Sequence, residues 1–218
     1  MGTVIKDLPI LDLRGISPAA ISLIDLVENV RTVVLDNENA EAFMRIPREE
    51  VRSHLIINSD ETLSIGQLEF NDGFLEQFPD NTKLVVLGHT IVDGFSIPLF
   101  LKKIKNLRIY GQVLYSDSKS VGALLARLER LQGQVLRMKP DAIRWIGPTY
   151  LDTNALEAVS GRPIVSIGPI TIDHGVGTQD ITSTINSMVH IGEMIGREEA
   201  ICALLSVCDR RLGTYSLV

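Results

Sequence analysis

Residue types and motifs that carry well-known chemistry are scarce in this chain. It has two cysteines, four histidines and one tryptophan among 218 residues. The histidines are scattered, and the cysteine pair lacks the spacing of a zinc site. The sequence contains no phosphate-binding glycine loop, no complete dinucleotide-binding glycine pattern, no nucleophile elbow and no paired-histidine zinc helix. We therefore expect no cofactor, no metal and no enzymatic activity.

Long apolar runs are missing as well. No run approaches the ~20 residues that cross a bilayer, so we expect no membrane segment. Residues 1–6 show no basic segment followed by an apolar core, so we also expect no secretory signal. Cys202 and Cys208 lie within one predicted helix, on which they would point in different directions and could not form a disulfide. Two reduced thiols and a cytoplasmic location follow as predictions.

Charge is distributed unevenly along the chain. Residues 1–100 carry 16 acidic and 7 basic side chains, whereas residues 101–218 carry 11 acidic and 14 basic ones. The stretch from Lys102 to Arg144 is the most basic. We interpret it first as the solvated face of two helices, next as a surface for self-association, and last as a nucleic-acid site.

Glycines recur at a nearly constant spacing after short apolar segments. The intervals between them are 21 to 24 residues, apart from a short step of 14 between Gly133 and Gly147 and one of 7 between Ser59 and Gly66. Asn37 and Ser59 take the glycine place earlier in the chain, after Gly15. The recurring glycines are Gly66, Gly88, Gly111, Gly133, Gly147, Gly168, Gly192 and Gly213. Each interval therefore predicts one strand-helix repeat, and each short step predicts a repeat without its helix.

The segments between the glycines carry helical apolar stripes. One stripe comprises Val121, Leu124, Leu125, Leu128 and Leu131; a second comprises Ile97, Phe100, Leu101 and Ile104; and a third comprises Ile201, Leu204, Leu205 and Cys208. Ser96 is a predicted N-cap for the second stripe. Ser17-Pro18, Asp152 and Asp180 are predicted to begin further helices.

A strand and one short amphipathic helix cannot bury their apolar sides alone. Stacking against neighbouring repeats buries them, and a fixed period of 20 to 50 residues is typical of a solenoid. We predict an irregular α/β solenoid with a mostly parallel sheet, forming a single repeat domain over residues 1–218 with irregular steps near 59–66 and 133–147. The alternative is a doubly wound α/β fold, which also alternates strands and helices.

The spacing of apolar residues resembles that of leucine-rich repeats. Ile104, Leu107 and Ile109 occupy the apolar places of that family's phrase, and Gln112 stands where the family has an asparagine. Val30, Val33 and Leu35 fit in the same way. The resemblance implies an α/β solenoid and no catalytic residues, while the missing asparagine marks a departure from the family pattern.

Two sets of residues are candidates for function. Arg144, Trp145 and Tyr150 belong to residue types that dominate binding hot spots, and Lys102, Lys103 and Lys105 would add charge. Alternatively Trp145 fills the gap left by a missing helix. A second candidate is a ligand site that would include His89, Asp93, Asp173 and His174, although turn roles are favoured for these residues.

The function that we predict is protein interaction or self-assembly, with a protein partner or a second copy of the chain. Apolar residues near both ends, such as Leu11 and Leu217, would leave sheet edges that invite pairing with another chain. The alternative is a doubly wound small-molecule-binding protein or enzyme with a site near the strand ends. Nucleic-acid binding is the least favoured.

Overall fold

Short strands and short helices alternate through the chain in the computed structural model, which describes residues 3–159 and 161–218. The architecture is mixed α/β with mostly parallel sheets, as the sequence predicted at this level. Among the described residues, no helix is long and apolar enough to cross a membrane.

Twenty strands are assigned to the described residues. The first twelve are β1 (Thr3–Asp12), β2 (Ile24–Leu35), β3 (Arg48–Glu49), β4 (Ser53–Ile56), β5 (Glu61–Ile65), β6 (Leu68–Phe70), β7 (Thr82–Leu87), β8 (Thr90–Val92), β9 (Ile104–Tyr110), β10 (Val113–Tyr115), β11 (Leu128–Gln132) and β12 (Val135–Arg137). The others are β13 (Ile143–Ile146), β14 (Thr149–Leu151), β15 (Ile164–Ile167), β16 (Ile170–Ile172), β17 (Met188–Ile191), β18 (Met194–Gly196), β19 (Cys208–Leu212) and β20 (Tyr215–Leu217).

Eight helices are assigned to the same part of the chain. They are α1 (Pro18–Ile21), α2 (Asn37–Met44), α3 (Asp72–Glu76), α4 (Ile97–Lys103), α5 (Ser118–Ala126), α6 (Thr153–Val159), α7 (Thr178–Thr184) and α8 (Glu198–Ser206). The predicted caps Ser17, Ser96 and Asp152 are confirmed, because each side chain accepts a backbone hydrogen bond from the first turn of its helix.

Strand order within each sheet follows the sequence one repeat at a time. The orders are β5-β7-β9-β11, β6-β8-β10-β12, β13-β15-β17-β19 and β14-β16-β18-β20. In the remaining sheet β2 pairs with β1, β3 and β4. From β5 onward each repeat has two strands, and the recurring glycine lies between them.

The recurring glycines therefore mark corners between the two strands of a repeat, which belong to different sheets, and we call them the corner glycines. All eight have a positive φ angle. A Cβ atom at Gly88 would lie 1.8 Å from the carbonyl oxygen of Gly66, and one at Gly192 would lie 2.1 Å from that of Gly168. Only glycine fits a corner that both needs this conformation and touches the backbone of the preceding corner.

The two short steps lack a helix, as predicted. Strand β4 leads to β5, and β12 to β13, with no helix between them. By contrast, three predicted helical stripes extend too far. Ile104, Leu128 and Cys208 begin β9, β11 and β19, because each strand starts within two residues of the end of its helix. Asp180 lies inside the first turn of α7 and bonds the backbone of Gly177, which begins that helix.

The chain divides into two compact units. Unit 1 comprises residues 3–113 and 118–135, and unit 2 comprises residues 114–117, 136–159 and 161–218. The sequence did not indicate this division, since the repeat spacing continues through both.

Unit 1 contains two sheets that pack face to face. Val34 and Leu55 from the sheet of β1, β2 and β4 form a buried cluster with Val85 of β7. Arg108 of β9 forms an ion pair with Glu61 of β5 in its own sheet, with an N–O distance of 2.6 Å, and donates a hydrogen bond across to the carbonyl oxygen of Ile56 of β4. Five of the six phenylalanines form a further aromatic cluster around α3 and α4: Phe70, Phe74, Phe78, Phe95 and Phe100.

In unit 2 an apolar core lies between the strands and helices α6, α7 and α8. Its central residues include Leu156, Ile181 and Leu204 from the three helices, and Ile170 and Met194 from neighbouring strands. Burying stripes of this kind is the main source of stability for short helices, which would not form alone in water.

The two cysteines are expected to differ in reactivity, because only Cys202 is exposed. Both are free, as predicted, and burial raises the pKa of Cys208 to about 11 from 9.0. A rise of this size lowers the thiolate fraction near pH 8 about 100-fold. We expect one fast and one slow reaction with a disulfide reagent, and Cys202→Ser should remove the fast one. Two equally fast thiols would contradict the assigned start of β19.

Candidate functional site

The hot-spot residues predicted from the sequence lie in unit 2. Arg144 and Trp145 are on β13, and Tyr150 is on β14. Trp145 is half-buried and packs against the core of unit 2. This position fits the alternative that Trp145 fills the gap left by a missing helix. Tyr150 is exposed, and its hydroxyl donates a hydrogen bond to the carboxylate of Asp173. Tyr150 and Asp173, from separate predictions, are thus neighbours.

The predicted lysines lie in unit 1. Nζ of Lys102 and Nζ of Lys103 lie 3.4 and 3.0 Å from the carboxylate of Asp80, and Lys105 is exposed on β9. The hydrogen bond from Lys103 lowers the pKa of Asp80 from its ordinary value. The six predicted surface residues therefore belong to two different units, and two of the three lysines share the carboxylate of Asp80.

Asp173 and His174 form a turn after β16. The carboxylate of Asp173 accepts a hydrogen bond of 2.7 Å from the backbone N–H of Gly175, and its carbonyl accepts one from Val176. The bonds from Tyr150 and Gly175 lower the pKa of Asp173. His174 is exposed. This geometry is that of a turn held by an aspartate side chain.

His89 follows the corner glycine Gly88 in unit 1, and Asp93 follows β8 in the same unit. The backbone N–H of Gln112 donates a hydrogen bond of 3.3 Å to Nδ1 of His89. One repeat further on, the backbone N–H of Gln134 donates a bond of 2.6 Å to Oε1 of Gln112. Side chains that follow the corner glycines thus bond the backbone of the next corner.

Burial lowers the pKa of His89 from its ordinary value. Since Nδ1 accepts a hydrogen bond, the neutral ring carries its proton on Nε2. The neutral side chain of His89 can therefore donate a hydrogen bond from Nε2.

A cavity of about 330 Å³ adjoins His89 within unit 1. One wall comes from β1, β2 and β4, and the other from β7, β9 and β11. Its polar lining residues are Arg31, Thr32, Ser53, His54, His89, Tyr110 and Gln132, and its apolar ones include Ile10, Leu55 and Leu87. The cavity places His89 close to residues up to 80 positions away in sequence, which no spacing rule would have joined.

Unit 2 has a cavity of its own, of about 380 Å³. The segment of Arg137, Met138, Lys139 and Pro140 forms one side, and Val165 and Val189 contribute from neighbouring strands. The sequence did not predict a cavity at this place. Within residues 3–159 and 161–218, no three histidine, cysteine or acidic side chains are grouped so that they could hold a metal ion.

Comparison with known proteins identifies no relative: no family model, no curated protein and no solved structure matches the chain.

Proposed function

We propose that the chain is an α/β solenoid that acts as a non-catalytic protein-interaction module and associates with a second copy of itself. Strand order supports the solenoid. In every four-stranded sheet built from two-strand repeats, each neighbour lies one repeat away in sequence. A doubly wound sheet would instead reverse its order at one point.

The bonds at the corners also support a likeness to leucine-rich repeats. In that family an asparagine side chain bonds the backbone, and here Gln112 occupies its place. The side chain of Gln112 accepts a bond from the backbone of the following corner, and His89 does so one repeat earlier. Different side chains would therefore supply the same type of contact.

The observation that carries self-association is an exposed apolar edge in unit 2. Met194 of β18 is buried and pairs with Tyr215 of β20, and Gly196 pairs with Leu217. Tyr215 and Leu217 thus occupy core positions in the sheet but are 54% and 57% exposed. Among the described residues β20 pairs with β18 alone. An open strand edge flanked by apolar side chains favours pairing with another strand.

Charge favours a second copy as the occupant of this edge. The first 100 residues are acidic and the remainder is slightly basic, so two copies can meet with unlike charges facing each other. Nucleic acid is less well supported, because Lys102 and Lys103 are paired with Asp80. The two free thiols fit the expected cytoplasmic location.

Replacing Tyr215 and Leu217 by lysine is expected to weaken self-association. Burying one such side chain contributes roughly 1.5–3 kcal/mol, so the double variant should raise the dissociation constant at least about tenfold. Multi-angle light scattering over a range of concentrations measures this. We expect the apparent mass of the unmodified chain to rise with concentration.

Leu23→Lys is the matched control, since Leu23 is 72% exposed but belongs to unit 1 and not to the sheet that contains β20. It should leave self-association unchanged. A constant monomer mass for the unmodified chain at high concentration, or equal effects of the control and the double variant, would refute the proposal.

A further inference from the structure

The unit 1 cavity is built from two sheets and is not a gap between surface loops. Its walls continue the buried cluster in which Ile10 and Leu55 meet Leu87 and Tyr110. The sheets are in contact within that cluster and enclose open space where β7 and β9 end at Gly88 and Gly111. Ligand cavities of a few hundred Å³ with mainly apolar walls and a few polar groups are typical of small-molecule sites.

The polar groups of this cavity are mostly hydrogen-bond donors. The side chains of Arg31 and His54 make no hydrogen bond or ion pair to the described residues, and Nε2–H of His89 is available because Nδ1 is engaged. Thr32 and Ser53 satisfy each other, with 3.0 Å between their hydroxyl oxygens. No aspartate or glutamate is among the described residues that line the cavity.

Tyr110 adds an aromatic side chain to the wall of the cavity. Its ring lines the cavity, and its hydroxyl is buried without a hydrogen-bond partner among the described residues. The guanidinium of Arg130 lies 5.5 Å from the centre of the same ring.

Other charges near Arg31 are mixed. A neighbouring depression is lined by Arg31, Arg52 and Asp7, and the carboxylate of Asp7 accepts a hydrogen bond of 2.8 Å from Asn29. Two guanidinium groups thus face one carboxylate that is already bonded. Arg31 is the one arginine that reaches both the depression and the cavity among the described lining residues.

We propose that this cavity binds a small organic carboxylate, whose charge is held by Arg31 and whose apolar body lies against Ile10, Leu55 and Leu87. His89 and His54 donate further hydrogen bonds to the carboxylate. The volume holds roughly ten water-sized groups at about 30 Å³ each, which is the size of phenylacetate. A phosphate would leave the apolar walls unused and would find a single arginine to balance its charge.

The test is a titration of the unmodified chain with phenylacetate, with its neutral isostere phenylacetamide and with inorganic phosphate. Imidazole signals of His89 and His54 in ¹H–¹⁵N spectra report the site, and calorimetry gives the affinity. We expect phenylacetate to shift both histidines and to bind at least about tenfold more tightly than either competitor, since a charge-assisted hydrogen bond is worth about that factor or more.

Two variants test which arginine holds the carboxylate of the ligand. Arg31→Gln should weaken phenylacetate binding at least about tenfold, while Arg52→Gln, which changes the depression but not the cavity, should leave it within about twofold. The proposal is overturned if millimolar phenylacetate moves neither histidine, if the amide or phosphate binds equally well, or if both arginine variants lose the same affinity. The first two comparisons use the unmodified chain, so they hold even if a variant fails to fold.

Discussion

Gly88→Ala is expected to destabilise unit 1 severely, although it adds a single methyl group. The added Cβ would lie 1.8 Å from the Gly66 carbonyl oxygen, a backbone atom that cannot rotate away. The φ angle of +148° adds strain for any residue with a side chain. Strain of this kind costs about 1–3 kcal/mol, and overpacking adds about 1–3 kcal/mol. The expected total is roughly 2–6 kcal/mol.

Gly94→Ala separates these two causes. Gly94 has a φ angle of +154°, yet a Cβ there would meet nothing within 4 Å. Gly94→Ala should therefore lose only the stability that the backbone strain costs. Urea unfolding, followed by the backbone amide signals of β7 and β9, should show that Gly88→Ala is the less stable of the two variants. Equal losses for the two variants would show that the corners do not touch.

His190→Leu is expected to stabilise unit 2, most strongly at acidic pH. His190 is 0% exposed on β17, and both of its ring nitrogens lack a hydrogen-bond partner among the described residues. Leaving buried polar groups unpaired costs about 1–3 kcal/mol. Leucine has a similar volume and no such groups, so the variant should gain about that amount at pH 7.

The pH dependence follows from the direction of the pKa shift. Burial is the main cause that lowers the pKa of His190, and the charge of Arg211 lowers it further. The unfolded chain therefore takes up a proton at a higher pH, near 6.5, than the folded unit does. Stability should fall as the pH drops below about 6.5, until the folded pKa is reached. His190→Leu should remove this loss.

The single tryptophan makes the measurement specific, since Trp145 lies in unit 2 and on the sheet that contains His190. Its fluorescence during urea unfolding at pH 7.5 and pH 5 reports the stability of that unit. His174→Leu is the control, because His174 is exposed in the same unit and its loss should leave the profile unchanged. The account of His190 is wrong if the leucine variant is less stable at pH 7 or keeps the full acid loss.

The corner positions could be predicted from sequence because their physical requirement is strict. Only glycine suits a positive φ with another backbone in contact, so the spacing of Gly88, Gly111 and Gly133 reveals the repeat. Helix ends were harder, because Leu128 continues the apolar period of α5 while it begins β11. A single apolar residue at this position therefore fits both the helix pattern and the strand pattern.

The site could be predicted only in part. His89 was singled out from its place after a strand and a glycine. Arg31 and His54 were missed, because they come from a separate sheet that packs against β7 and β9. Sheet-to-sheet packing depends on how the chain turns between β4 and β5, and neither residue periodicity nor charge specifies that turn.

The proposed solenoid can be tested most directly by the order of its strands in solution. Nuclear Overhauser contacts between backbone protons in a deuterated sample should connect Val85 with Arg108 and Ile167 with Ile191, each about one repeat apart. Strands β5 and β11 should show none with each other, since two strands separate them. Contacts between β5 and β11, or a reversal of strand order within either sheet, would contradict the proposed solenoid.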